Sequence, residues 1–299
     1  MADSSIENAG LLIVDKEAGL TSHDVVARCR KIFGTRRVGH AGTLDPMATG
    51  VLVVGIERAT KLLGLLSLTT KSYVATIRLG ASTSTDDREG DIIGTFDTAS
   101  VTDDGIRSGV ADLTGDIQQV PARVSAIKVG GRRAHALART GADFDLPARP
   151  VTVSRFEILD IGRDDDGILV RAEVDCSAGT YIRSLARDLG AALEVGGHLT
   201  SLRRTAVGPF TLEHARTLDE VAEAPTRSLD IDQAVRLSFP HRDISADEAE
   251  SISQGRWLEP VGISGIYVVI DPAGQAIALL QEKGRRASSV MVVRPATLR

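Results

Sequence analysis

A chain of 299 residues with 42% hydrophobic and 25% charged residues has the make-up of a soluble globular protein, enough for one large domain or a large one with a small companion. No apolar run reaches membrane-spanning length, and the opening "MADSSIENAG" lacks the basic and apolar regions of a signal peptide, so a cytoplasmic protein is expected. With only Cys29 and Cys176 present, neither a disulfide framework nor a cysteine-based zinc site is expected, and both thiols read as buried small hydrophobes. The net charge of -5 argues against a phosphate-rich partner, but its distribution is uneven. Residues 1–80 hold ten Lys/Arg against seven Asp/Glu, with Arg28, Arg30, Lys31, Arg36 and Arg37 clustered, whereas 213–250 holds ten acids against four arginines. The cluster fits either an anionic partner or a solvated helix face.

In chain order, "GLLIVDK" (10–16) predicts a buried strand that ends in a turn at "EAG". Thr21 or Ser22 then caps a helix whose apolar stripe is Val25, Val26, Cys29, Ile32 and Phe33. "VLVVGI" (51–56) predicts a strand, "RATKLLGLL" a short helix, and the alternating "KSYVATIRLG" (71–80) a strand with one buried face. A polar loop, "STSTDDREGD", follows, and its acids read as solvated. Residues 103–113 predict a helix, and 125–141 a strand, a glycine turn and a short cationic helix. "RPVTVSRFEILDIG" and "GILVRAEVDCS" predict two strands around "RDDDG". A helix over about 180–194 turns Ile182, Leu185, Ala186 and Leu189 inward and sets Arg183 and Arg187 on another face. "GIYVVID", "AIALLQEKG" and "SSVMVVRP" predict short strands of a small β-rich module. Strands outnumber helices and do not alternate with them strictly, which predicts an α+β fold with a mixed sheet.

The stretch "GHAGTLDPMATG" (39–50) isolates one carboxylate, Asp45, among small and turn-forming residues. Pro46 drives Asp45 towards extended backbone, and the glycines permit close backbone approach. Taken alone, Asp-Pro is equally an ordinary turn start. No GxxxxGK[ST] phosphate loop or GxSxG elbow occurs, and no acids or histidines fall at metal-ligand spacing. Nucleophilic catalysis by a carboxylate stays open; it needs a cationic partner, for which Arg183 beside Tyr181 is a candidate.

The segments "GLLIVDKEAGLTSHDVV", "RRVGHAGTLDPMATGVLVVGIERATKLL", "KSYVATIRLG", "TSTDDREGD", "VPARVSAIKVGGRRAHALARTG" and "CSAGTYIRSLARDLG", with "GGHLTSLRRTAVGPF", occur in one order over roughly residues 10–210. In this set the chain resembles the bacterial TruB family of tRNA pseudouridine synthases, which act on uridine 55 of the T loop. The resemblance implies a catalytic domain of the pseudouridine synthase type, with a mixed, largely antiparallel sheet, over 1–235. It also implies an RNA-gripping insertion at about 125–150 and a small PUA-like RNA-binding domain over 236–299.

It further implies that Asp45 is the nucleophile, Arg183 its ion-pair partner, and Tyr73 the aromatic residue stacking on the target base. Tyr181 matches a second active-site tyrosine, Leu202 the apolar wall behind the uracil, and His40 the histidine that fills space near the flipped base. Lys16 matches a lysine of the active-site framework. Lys128, Arg132, Arg133 and Arg139 match the insertion that holds the T arm, so the implied partner is the tRNA T-arm stem-loop. Isomerisation gains no atom or electron, so no cofactor and no metal are expected; nor is a protein partner or a membrane, and the enzyme is expected as a monomer. The target base must be flipped out of its loop, and attack at ribose or at ring is left open. The chain departs from the family at Glu17, where a proline is usual, and at Val124 and His135, where aromatic residues are common. A guide-RNA-dependent relative and a tRNA-folding chaperone are the rival readings.

Overall fold

The computed structural model describes residues 6–124, 128–129, 132–133 and 146–298. The chain divides into two compact units, one formed by Met1–Asp45, Val51–Ser67 and Gly208–Arg299, the other by Pro46–Gly50 and Leu68–Val207.

In the first unit the wholly apolar "GLLIV" forms the buried strand Gly10–Lys16, paired antiparallel with the short strand Leu229–Asp230. Val38–Ala41 runs antiparallel to the Val53–Ile56 part of the strand Thr49–Ile56. The helix Ser22–Ile32 starts at Thr21, whose side chain accepts from the Asp24 amide while Asp24 accepts from the Thr21 amide. Val25, Val26 and Cys29 face inward as expected, while Arg28, Arg30 and Lys31 are exposed. The segment around "RATKLLGLL" is the 3-10 turn Glu57–Leu62 followed by one helical turn, Leu63–Leu66.

The same unit ends in a four-stranded sheet in the order His241–Asp243, Ile266–Ile270, Ala276–Lys283, Arg286–Val292, with the first pair parallel and the others antiparallel. Ile244, Ala249, Ile252, Tyr267, Ile277 and Leu280 build a hydrophobic core of its own under it. The last three strands lie where the alternation puts them; the helix Ala246–Ser253, capped by Ser245, is an addition.

The second unit is a sheet in the order Gly197–Val207, Lys71–Leu79, Gly167–Cys176, Arg149–Asp164, Gly115–Gln119, antiparallel throughout. At its Gly197–Val207 edge Thr49 and Gly50 pair in parallel with Arg203 and Arg204, which makes the sheet mixed. Strand Lys71–Leu79 alternates buried and half-buried residues along its whole length, the pattern its sequence carries. Helices Asp103–Asp112 and Ile182–Ala192 complete the unit, with Ile182, Leu185, Ala186 and Leu189 buried. Cys29 and Cys176 are both free and buried, and burial pushes each thiol up to about 11.

In the insertion, Lys128–Val129 pairs antiparallel with Arg132–Arg133. The cationic helix expected after it, with Arg139 and His135, lies outside the described residues. Among the described residues no helix is long and apolar enough to cross a membrane.

Candidate active site

Asp45 is half-buried, and the backbone on both sides of it is fixed. On its N-terminal side, within the first unit, the buried Ser22 hydroxyl donates to the Leu44 carbonyl at 3.1 Å and accepts from the Leu44 amide at 2.9 Å. On its C-terminal side, within the second unit, Gly50 docks on the strand Gly197–Val207 with φ 99°. A β-carbon there would sit 2.1 Å from the Arg204 carbonyl oxygen, so only glycine closes the loop in this way. The expectation that these small residues serve close backbone approach is met at Gly50.

Lys16 ends the first strand fully buried, and its ammonium donates to the Glu17 and Leu20 carbonyls at 2.9 and 2.7 Å. It closes the turn that the unusual Glu17 belongs to. His40 is half-buried in Val38–Ala41 and meets the His23 ring edge-on at 5.6 Å between centroids.

In the second unit Tyr73 lies on the buried face of Lys71–Leu79, directly opposite Arg204, while Leu202 is opposite Ala75. Period-2 geometry makes Leu202 a diagonal neighbour of Tyr73 on that face. Arg204 is 1% exposed, and the signal for it in the sequence is its place two residues after Leu202, before a register shift breaks the alternation. Two residues before Tyr73, Lys71 is also buried and donates to the Thr69 carbonyl at 2.6 Å. Burial, with the Arg204 charge adding to it, lowers its ammonium to about 8.

Arg183 sits in the first turn of Ile182–Ala192 and is buried, not on the open helix face that i,i+4 spacing with Arg187 suggests. Its guanidinium donates to the Thr85 and Val124 carbonyls, both at 2.9 Å, and lies 3.5 Å from the Asp87 carboxylate. Asp87 is 3% exposed and accepts from the Thr85 hydroxyl and the Glu89 amide. Its neighbour Asp86 reaches Arg187 at 3.3 Å, and burial holds that carboxyl above its usual range. Asp86 and Asp87 of "TSTDDREGD" thus form a clasp on two arginines, while Glu89 and Asp91 are exposed loop charges. Polar spelling hides this, because the burial comes from the helix that folds over the loop.

Tyr181 precedes that helix, which has no side-chain cap of its own. The fully buried Gln119 holds the Tyr181 backbone instead, its oxygen accepting from the amide at 2.8 Å and its nitrogen donating to the carbonyl at 3.1 Å. Nothing in "DIQQV" signals this role. Lys128, Arg132 and Arg133 lie in the paired strands of the insertion, where the described structure is that of the backbone. Among the described residues no group of three His, Cys, Asp or Glu is arranged to hold a metal ion.

Residues 30–182 match the model of the TruB family pseudouridylate synthase N-terminal domain. The chain belongs to the TruB family. Residues 183–236 match the tRNA pseudouridylate synthase B C-terminal domain, and 239–294 the tRNA pseudouridine synthase II C-terminal model. This TruB-family chain is 69% identical to "tRNA pseudouridine synthase B" of Rhodococcus jostii over 99% of its length and 97% of that protein's. It is 66% identical to the protein of the same name from Nocardia farcinica, over 96% and 94% of the two chains. Among solved structures it is similar to the Cbf5-Nop10-Gar1 complex, at 27% identity and TM-score 0.75, covering 99% of this chain and 88% of that one. A second, the H/ACA RNP bound to a substrate RNA containing 2′-deoxyuridine, matches at 26% identity and TM-score 0.72, over 98% and 87%. The expected family and the α+β fold with a mixed sheet are both met, and the protein is an isomerase of the pseudouridine synthase kind.

Proposed function

We propose that the protein isomerises uridine 55 in the T loop of tRNA to pseudouridine, with Asp45 as the nucleophile. In that reaction the N1–C1′ bond breaks, the uracil turns, and a C5–C1′ bond forms. The C5 proton is lost and N1 takes one up, so atoms and electrons balance without a cofactor. The observation that carries the assignment is the fixed backbone of Asp45: Leu44 is held by Ser22, and Gly50 tolerates no side chain. A carboxylate whose position costs no reorganisation is what nucleophilic attack on a flipped nucleotide needs.

The remaining roles are those that the resemblance to the family implies, with burial and chemistry as support. Arg183 is the cation that the family resemblance assigns to Asp45; two carbonyls and Asp87 orient its fork. Tyr73 stacks on the extruded uracil and Leu202 walls it, a reading supported by their shared face. By the same resemblance His40 fills space near the flipped base, Lys16 belongs to the active-site framework and Tyr181 is a second active-site tyrosine. Lys128, Arg132 and Arg133 grip the T-arm phosphates, and 236–299 forms an RNA-binding module alongside a catalytic domain over 1–235. The relatives named tRNA pseudouridine synthase B support tRNA as substrate. As part of the same proposal, the enzyme acts as a monomer without a guide RNA.

The test is tritium release from a T-arm hairpin labelled at uracil C5, comparing wild type with Asp45→Asn. Release by wild type alone is expected, with the variant down by at least about 10⁴-fold, the scale at which loss of a covalent nucleophile is read. No release by wild type on the hairpin sinks the stand-alone reading. Equal release by both proteins removes Asp45 from the chemistry.

A further inference from the structure

The C-terminal sheet carries a surface whose composition is out of keeping with an acidic protein. Trp257, the only tryptophan of the chain, is 43% exposed. The Arg286 guanidinium lies 5.0 Å from the centre of its ring. The two are brought together because Leu258 and Ala287 exchange both backbone hydrogen bonds, at 3.0 and 2.8 Å. Arg256 flanks Trp257, and Lys283 and Arg285 stand on the turn before Arg286; all four cations are exposed.

None of these four is held in an ion pair among the described residues, unlike Arg242 with Glu248 and Arg294 with Asp232. The acid of that turn, Glu282, points elsewhere: it accepts from the Val261 and Gly262 amides and the Tyr267 hydroxyl, and the Val261 amide leads in holding its carboxyl below the usual range. The result is a half-exposed indole with Arg286 over one face and three further exposed cations close to the pair in sequence, none in an ion pair among the described residues.

We propose that Trp257, Arg286, Arg256, Lys283 and Arg285 form a binding site for unpaired RNA, with one base stacked on the indole and the adjoining phosphates on the cations. A duplex hides its base faces, so an exposed indole selects a single-stranded segment. Stacking on an aromatic ring beside cations that follow the backbone is the general means of holding such strands. An exposed tryptophan flanked by an arginine also suits a protein surface, but four cations held in no ion pair among the described residues favour phosphate. The inference deepens the reading of 236–299 as an RNA-binding module and rests on it only for the class of partner.

Because Trp257 is the sole tryptophan, its emission reports this surface in the full-length protein. An unstructured RNA of about a dozen nucleotides, near the upper end of a single stacking site, is titrated while the emission is followed. Saturable quenching that weakens with salt is expected. By fluorescence anisotropy of a labelled RNA, Trp257→Ala weakens binding about 5- to 100-fold and Trp257→Phe leaves it near wild type. The pair Lys283→Ala and Arg285→Ala flattens the salt dependence by about 1.4 in log–log slope, since each phosphate contact on a single strand contributes roughly 0.7. No quenching by RNA, or equal quenching by heparin, which has no bases, overturns the proposal. Tritium release from the T-arm hairpin by wild type is measured on the same preparation. Wild-type failure in that assay counts against the proposed reaction and leaves the quenching result to decide the surface by itself.

Discussion

Two helices, Ser22–Ile32 and Ile182–Ala192, begin in opposite ways. The first is stopped and started by its own neighbours: Thr21 and Asp24 close a capping box, Arg28 and Lys31 stay in water, and Arg30 reaches the nearby Val38 carbonyl at 3.1 Å. The second has no side-chain cap, buries the arginine of its first turn, and is held at Tyr181 by a glutamine 62 positions away. A locally capped helix needs little from the rest of the protein. A helix whose entry is fixed from a distance has its first turn set in three dimensions, which is what a guanidinium serving a reaction requires.

The sharpest way to break this contrast is Arg183→Met. It leaves Asp87 buried without the cation that faces it, and unfolding in urea should show a loss of about 3–5 kcal/mol. Turnover should fall by more than the folded fraction does, and an unaltered rate per folded molecule would remove Arg183 from the site. Gln119→Ala comes next: two backbone groups of Tyr181 lose buried partners, worth about 1–3 kcal/mol each at most. Here kcat should drop while T-arm affinity holds, because the helix start shifts and the RNA contacts do not.

Lys71 sharpens the comparison through pH. Its ammonium titrates near 8 in the folded chain against an ordinary 10.5. Between those values the unfolded chain binds more protons, so stability rises with pH through that window, and the penalty is full below about pH 8. The urea midpoint should increase between about pH 7 and pH 9.5 by the equivalent of about 1–2 kcal/mol, and Lys71→Met should abolish the increase. A flat profile in wild type would mean that Lys71 is solvated. The smallest effect belongs to the first helix. Thr21→Ala should cost about 1 kcal/mol in unfolding and leave kcat unchanged; a kcat change there would show that the local cap also sets the site.

What could be read from sequence follows the same division. The strand Gly10–Lys16, the alternation of Lys71–Leu79, and the Thr21 cap are written within a few residues, so periodicity and capping rules find them. Asp45 was conspicuous because its loop is built from turn formers, and the segment order gave the family. Asp87, Gln119 and Arg204 were not legible as buried groups, since their burial is made by elements far along the chain. A charged residue in a polar stretch is read as exposed until the fold covers it. The strand Gly197–Val207 escaped for a related reason: its arginines and threonines mask a period of two that only the pairing with Lys71–Leu79 makes plain.

The contact of Gly50 with Arg204 bears on when the enzyme comes into being. It joins residues 154 positions apart, and in parallel register, the slowest kind of pairing to find by diffusion of the chain. During synthesis the segment with Asp45 emerges early, yet its C-terminal anchor does not exist until the strand Gly197–Val207 has been made. A growing chain therefore carries its principal acid held only on the Leu44 side through most of translation, and gains the Gly50 anchor only as one of the last events of folding its second unit.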